Sequence, residues 1–252
     1  MRLYNDLSWI WPVMSPPGEY VEETRLFSNA IKKNAEISVK TLLHLGCGGG
    51  HNDYTFKRYF DVTGLDISPR MLSLAKKLNP QCDYVNGDMR NPKLSRQFDS
   101  VFAGDSISHI LNEKGLSRVF NGAFKSLKPG GVFLVVQEFV KGKIGHNSAE
   151  CVSRSSKILE MTYVEYRFDS DANDTMFETA FVYFLGNKGR LKVETDSGAM
   201  GIFPEATWMK LLKSVGLRVK RERFIHSSFP KGHHWPMYVC VKPKGSRDEE
   251  MV

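Results

Sequence analysis

Three features of the sequence predict an α/β protein: short apolar runs alternating with helix-period stripes from Thr41 to Val136, a glycine-rich turn directly after the first run, and strand-only patterning after Val140. The expected architecture is a parallel sheet wrapped by helices, followed by an antiparallel insertion. The 252 residues are 41% hydrophobic and 25% charged, enough for one large domain with its own core.

An irregular segment with Tyr4, Trp9, Trp11 and three prolines opens the chain, and a helix from Glu19 to Asn34 follows with Leu26, Phe27, Ala30 and Ile31 inward. Tyr4, Trp9, Trp11 and Tyr20 either pack on the core or form a lid over a substrate. Thr41 to Leu45, Val62 to Leu65, Asp83 to Val85, Phe98 to Ala103 and Val132 to Val136 read as five successive strands. Ser68-Pro69 is an N-cap with proline at the first helical position, ahead of a core stripe of Met71, Leu74, Ala75 and Leu78. Leu116, Val119, Phe120, Ala123, Phe124 and Leu127 form a second stripe.

Beyond Val140, Ile158 to Phe168, Met176 to Leu185 and Leu191 to Thr195 look like antiparallel strands, with a turn at Gly186-Asn187-Lys188-Gly189. Pro204 then opens a helix carrying Trp208, Leu211, Leu212 and Val215, which Gly216 stops. Two last strands follow near Leu217 to Phe224 and Met237 to Val241, and Gly245 to Val252 is expected to be a disordered tail.

The longest apolar stretch, Gly131 to Val140, is broken by Gln137 and Glu138 and is too short for a bilayer span of roughly 20 residues. No secretory signal is recognisable at the N-terminus. Cys47, Cys82, Cys151 and Cys240 are irregularly spaced, which points away from a disulfide framework or zinc site and towards a cytoplasmic protein. His226, His233 and His234 do not suggest a metal site either, since adjacent histidines in an extended chain face opposite sides. The net charge is +7, with ten basic against five acidic residues from Glu205 onward, which suits a solvated basic face or a nucleic-acid surface.

Gly46, Gly48 and Gly50 lie at a strand-to-helix turn, where missing side chains let the backbone approach a ligand. His51 stands where a dinucleotide fingerprint needs its last glycine, and no P-loop lysine follows. Asp66 ends the second strand, where a carboxylate accepts ribose hydroxyls; by itself it reads equally as a helix N-terminal acid. Asp88-Met89 follows the third strand, offering a carboxylate for an adenine amino group and an apolar cover for its ring.

These residues resemble the class I S-adenosylmethionine-dependent methyltransferases. HLGCGGG is similar to the family's first motif, VTGLDIS to its acidic second, NGDMR to its third and FDSVFAGDSISH to its fourth, and LKPGGVFLVV to the turn and strand that follow. The resemblance implies a Rossmann-like seven-stranded sheet of order 3-2-1-4-5-7-6, with strand 7 antiparallel. It implies S-adenosylmethionine as cofactor and S-adenosylhomocysteine as product. Gly46, Cys47, Gly48 and Gly50 would pass the methionine end, Asp66 and Ile67 the ribose and adenine, and Asp88 and Met89 the adenine. Met71 and Asp105 would complete the cofactor site, Asp105 also facing the substrate. The insertion is similar to that of N-methyltransferases acting on amino sugars, and nearly the whole chain resembles bacterial and archaeal members without an assigned substrate.

His44 departs from the family pattern, which has an acidic residue there near the cofactor's ammonium group. A neutral imidazole can still accept a hydrogen bond, and Asp53 is a candidate compensating carboxylate or simply an early helical acid.

The expected reaction is in-line methyl transfer to a nitrogen or oxygen nucleophile of a small molecule. Asp105, His109 and Glu138 are the candidate acceptors of its proton. An RNA methyltransferase is the first alternative and a catalytically silent binding module the second. The fourth motif, Gly104-Asp105-Ser106-Ile107-Ser108-His109, has no proline-proline-aromatic element of the kind that stacks on a target base. The chain is accordingly divided into an N-terminal lid and helix (1–34), a cofactor-binding core (35–140), an insertion (141–203), a closing helix and strands (204–244) and the tail (245–252). It is expected to act as a monomer or homodimer.

Overall fold

The computed structural model describes residues 1–143, 145–187 and 189–245. Its elements are α1 Trp11–Met14, α2 Val21–Asn34, β1 Thr41–Leu45, α3 Asp53–Phe56, β2 Asp61–Asp66, α4 Pro69–Leu78, β3 Asp83–Asn86, β4 Phe98–Ala103, α5 Glu113–Ser126 and β5 Leu127–Val136. There follow β6 Asn147–Ser155, β7 Glu160–Phe168, β8 Met176–Asn187, β9 Arg190–Gly201, α6 Glu205–Ser214, β10 Arg218–Phe224 and β11 Trp235–Val241. The main sheet runs β10-β11-β5-β4-β1-β2-β3, all parallel except β11, which is antiparallel to both neighbours. This is the expected order. A second sheet, β6-β7-β8-β9, is wholly antiparallel.

The central strands β1, β4 and β5 are largely buried because both faces of the sheet are covered. Leu43, Val101 and Phe133 pack with Leu116 and Phe120 of α5 and Trp208 and Leu212 of α6. Leu42, Phe102 and Leu134 pack on the other face with Phe27 and Ile31 of α2. Ser68 caps α4 by accepting the Met71 N–H at 3.2 Å, as its sequence foretold.

Several boundaries differ from the sequence reading. The Glu19 to Asn34 helix begins at Val21, after a 3₁₀ turn at Pro17–Tyr20 that the Pro16-Pro17-Gly18 run imposes. Pro204 is the N-cap of α6 and not its first helical residue. Ile158 lies in a turn, and β9 continues to Gly201. β6 was missed because it is an edge strand with exposed polar side chains, so no hydrophobic alternation marks it. Lys188 of the turn signal and 246–252 of the predicted tail lie outside the described residues.

The N-terminal segment is anchored on the second sheet. Leu3, Leu7, Ile10 and Met14 pack with Leu159 and Met161 and with Phe181, Tyr183 and Leu185 of β8. The Leu3 N–H donates to Asp196 Oδ2 at 2.8 Å, and Arg2 Nη1 bonds Glu194 Oε2 at 2.9 Å. Among the described residues no helix is long and apolar enough to cross a membrane.

Asp99 ties β4 to the start of β1, the strand that carries the glycine turn. Its Oδ2 accepts from the Lys40 and Thr41 N–H groups at 2.9 Å each and from Thr41 Oγ1 at 3.0 Å, while Lys128 Nζ reaches Oδ1 at 2.8 Å. Burial alone would raise its carboxyl; Lys128 and the donors at Lys40 and Thr41 outweigh it and bring the pKa down to about 2. A carboxyl depressed on folding stabilises above its unfolded pKa and loses that contribution as pH falls towards about 2. Asp99→Ala is expected to cost about 2–4 kcal/mol in urea unfolding at pH 7, because the Lys40 and Thr41 N–H groups lose their acceptor, and less at pH 3.

Candidate active site

The carboxyl ends of β1, β2 and β4 meet around the loop Gly46–Gly50, where an open α/β sheet takes its ligands. The Gly46 and Cys47 N–H groups donate to Leu65 O at 2.7 and 3.1 Å, holding the loop against β2. Gly46 has φ +70° and Gly48 φ +52°, and a Cβ at Gly46 would collide with Ser106 Oγ and lie 2.7 Å from Met89 Cε. Ser106 and Met89 thus pack directly against the Gly46 backbone, which only a glycine permits.

Asp66 braces this loop: Oδ2 accepts the Gly48 N–H and Oδ1 the Ser68 N–H, both at 2.8 Å. A carboxylate has about four lone-pair sites, so each oxygen keeps capacity for one more donor. Next to it Ile67 is 68% exposed, free to cover a flat ring. Asn86 Nδ2 holds that turn by donating to Asp66 O and Ile67 O at 3.1 and 3.0 Å. Asp88 is engaged by Arg90, whose Nε and Nη2 approach its Oδ2 at 2.9 and 2.6 Å, and these bonds hold the carboxyl below the usual range. Cys47 and Met71 are buried in the floor of the loop, and burial pushes the Cys47 thiol well up.

Beyond the loop lies an acidic hollow. Asp105, in the 3₁₀ turn after β4, keeps accessible side-chain surface although protein surrounds it, so it lines a chamber and is not packed into the core. Burial raises its carboxyl, and nearby His44 opposes the rise. Glu138, just after β5, is raised well above the ordinary value by burial and then by the negative charge of Asp105; Arg167 opposes this, and Glu165 and Glu23 add to it. Glu23 in the first turn of α2 is raised too, by burial and then by Asp105, against the hydrogen bond it accepts from Asn52 Nδ2 at 2.7 Å. The negative charge of Asp105 thus adds to the burial that raises Glu138 and Glu23, and Arg167 opposes the rise at Glu138. Arg167 itself is held by Glu165 at 2.8 Å and lies over the Phe139 ring at 5.5 Å.

Aromatic side chains roof the chamber. Tyr4 packs edge-on against His109 at 5.1 Å, with Oη 3.3 Å from Nε2, and Ser68 Oγ donates to Tyr4 O. Trp11 stacks on His51 at 5.6 Å and donates its indole N–H to His51 Nδ1 at 3.1 Å, while Tyr20 meets the same imidazole edge-on. Burial lowers both histidines to about 4, so they are neutral at pH 7. Trp9 stands apart from this group and is 52% exposed.

His44, 3% exposed, lies in the floor with Nδ1 2.7 Å from Asp53 Oδ1. Tyr84 Oη donates to Asp53 Oδ2 at 3.1 Å, and Asn79 Nδ2 donates to Gly50 O and Tyr84 Oη at 2.8 and 3.1 Å. Sequence reasoning missed Glu23, Glu165, Arg167 and Tyr84. Met161, Tyr163, Glu165 and Arg167 share one face of β7 by the period of two, a signal that was available; for Glu23, an ordinary first-turn acid, there was none.

Residues 42–131 match the family described as "Methyltransferase domain". The chain is 26% identical over 209 residues to the dTDP-3-amino-3,4,6-trideoxy-alpha-D-glucopyranose N,N-dimethyltransferase of Streptomyces venezuelae, spanning 80% of this chain and 85% of that protein. It is 29% identical over 153 residues to the dTDP-3-amino-3,6-dideoxy-alpha-D-glucopyranose N,N-dimethyltransferase of Streptomyces fradiae, spanning 55% and 60%. Among solved structures it is similar to Streptomyces venezuelae DesVI, with a TM-score of 0.79, 21% identity and coverage of 90% of this chain and 92% of that one. It is also similar to the amino pentose methyltransferase CalS10 of Micromonospora echinaspora, with a TM-score of 0.77, 17% identity and coverage of 88% and 91%. At these identities the structural likeness is one of fold.

Proposed function

The chain is a class I S-adenosylmethionine-dependent methyltransferase, and from that premise we propose that its acceptor is a small amine, drawn as an ammonium ion into the acidic chamber and methylated on nitrogen. The observation that carries this reading is the acidic cluster after β4 and β5, in which Asp105 raises both Glu138 and Glu23 and Glu165 also acts on Glu138. The two dTDP-amino-sugar N,N-dimethyltransferases support it as relatives that methylate nitrogen.

The residues fit the cofactor. We assign the loop through Gly46, Cys47, Gly48 and Gly50 to its methionine end, the spare lone pairs of Asp66 to the ribose hydroxyls, and Ile67 and Met89 to the adenine faces. Asp88 can accept from the adenine amino group when Arg90 turns outward. Met71 supports the loop from beneath. When bound, the cofactor supplies an electrophilic methyl group on a sulfonium.

The protein's work is to orient the acceptor, exclude water and remove a proton. A protonated amine has no lone pair to attack with, and an ordinary carboxylate is a poor base towards it. Each unit by which burial raises Asp105 or Glu138 narrows that gap by about 1.4 kcal/mol. We assign Asp105 as the proton acceptor, with Glu138 and Glu23 holding the cation in place. Tyr4, Trp11 and Tyr20, seated by the segment 1–34, close the chamber, and the insertion 141–203 lines its far side.

A nucleic-acid acceptor fits less well. Late basic residues are paired: Arg221 with Glu205 at 2.9 Å, Lys220 with Glu222 at 2.5 Å, and Arg218 with Glu36. The test is methyl-labelled S-adenosylmethionine incubated with a host extract separated into small-metabolite, RNA and protein fractions, against an Asp66→Ala control. Label in basic small metabolites is expected. Label confined to RNA would replace this reading, and binding without transfer to any fraction would favour a silent module.

A further inference from the structure

We propose that Asn52 is a positioning residue for the methyl acceptor: its amide holds one carboxylate oxygen of Glu23 and leaves the other to receive the ammonium group of the incoming amine. The proposal rests on the amine reading above and supplies the residue that aims one of its carboxylates.

Geometry brings Glu23 to the ligand edge of the sheet independently of its charge. Tyr20, Glu23, Phe27 and Ile31 recur at three- and four-residue steps and so share the inward stripe of α2. Phe27 and Ile31 pack with Leu42, Phe102 and Leu134, and the Phe27 ring lies 5.1 Å from that of Phe102 near the end of β4. One turn nearer the start of α2, about 5.4 Å away, the stripe reaches Glu23. Tyr20, at the entry to the helix, meets the His51 imidazole edge-on at 5.4 Å.

Asn52, next to His51, fixes Glu23 there. Its Nδ2 donates to Glu23 Oε1 at 2.7 Å and to Thr24 Oγ1 at 2.9 Å. A carboxylate only accepts, so the amide must turn its nitrogen to α2, and both hydrogens of that nitrogen are used. Thr24 is fully buried and anchors the clamp. No hydrogen bond engages Glu23 Oε2 among the described residues. The adjacent Glu22 is turned away, to Ser227 and His226, and Asp53 of α3 is taken by His44 and Tyr84. Asp105 raises Glu23, and Glu23 in turn acts on Tyr20 and Glu138. Burial first and Asp105 second lift the Glu23 carboxyl to about 8, and the Asn52 bond, which favours the charged form, works against that rise. An arriving cation completes the ionisation.

The test compares two ligands on the full chain by calorimetry: S-adenosylhomocysteine, and sinefungin, which carries an ammonium group where the cofactor carries its sulfonium methyl. Wild type is expected to prefer sinefungin. Glu23→Gln keeps an acceptor for Asn52 but has no charge, and Asn52→Ala removes the clamp. Each is expected to weaken sinefungin about tenfold and leave S-adenosylhomocysteine unchanged. Since Asn52 acts through Glu23, the double variant should bind sinefungin no more weakly than Glu23→Gln alone. Asn52→Ser, whose hydroxyl is too short to reach Glu23, serves if Asn52→Ala does not fold and should give the same split. Carbon-13 NMR of the ligand-free protein reads the clamp directly: Glu23 is expected to titrate at about 8 in wild type and higher without Asn52. Additive losses, equal losses for both ligands or an unshifted Glu23 titration would overturn the proposal, as would unchanged sinefungin binding in either single variant. Wild type that binds S-adenosylhomocysteine without preferring sinefungin would overturn the amine reading, and wild type that binds neither ligand would overturn the methyltransferase reading; the proposal falls with each.

Discussion

Asp105→Asn is expected to lower kcat by about 10²–10⁴-fold, the usual contribution of a positioned general base, while cofactor affinity measured by calorimetry changes little. Asparagine keeps the shape and one acceptor oxygen but cannot take a proton. The wild-type rate should fall on the acid side with a midpoint above the ordinary carboxylate range, because burial raises Asp105, and burial together with the Asp105 charge raises Glu138. The stability effect has the opposite sign. A carboxyl whose pKa rises on folding favours the native state when protonated, so its contribution is best at low pH and is lost as pH rises through the raised value. Removing the Asp105 charge relieves repulsion on Glu138 and Glu23, and the variant should therefore melt higher than wild type at pH 7. An unchanged kcat would reassign the proton to Glu138, whereas a lower melting temperature would show that Asp105 is stabilised by contacts outweighing the repulsion.

Asp66→Ala is expected to weaken S-adenosylmethionine and S-adenosylhomocysteine by about 100-fold or more. Two hydrogen bonds from ribose hydroxyls to a carboxylate contribute roughly 1.5–3 kcal/mol each, and a tenfold change in affinity corresponds to about 1.4 kcal/mol. The variant also frees the Gly48 and Ser68 N–H groups, loosening both the loop and the start of α4. Asp66→Asn separates these effects, because its amide can still accept one of the two backbone bonds. It should recover part of the stability but little of the affinity. Near wild-type affinity in Asp66→Ala would overturn the ribose assignment.

The proposed cofactor side of the site could be named from the chain because its parts lie within about 60 residues at successive strand ends. A glycine turn, a carboxylate and an Asp-Met pair each recur at a position that parallel strand connections bring to one edge of the sheet. The acceptor side was legible only in part. Asp105 and Glu138 follow strands four and five and could be named. Glu23 reads as a dipole-favoured acid of a surface helix, and Glu165 and Arg167 as polar residues of a strand whose partner face is not written in its own sequence. His109 looked as strong a base as the carboxylates until its burial beneath Tyr4 was seen. The aromatic N-terminus, readable as packing or as a lid, is packed on β7 and β8 and also covers the glycine loop through Trp11 and His51.

By itself the sequence determined the strands and helices of the parallel core, because periodicity, caps and glycine positions are local properties that each segment carries alone, while the reversed strand β11 was expected from the family resemblance. Tertiary structure decided the electrostatics of the chamber and the pairing of His44 with Asp53. A pKa or a buried partner depends on which surfaces exclude water around a group, and those surfaces come from α2, β5 and β7, segments as far apart in the chain as Glu23 and Arg167.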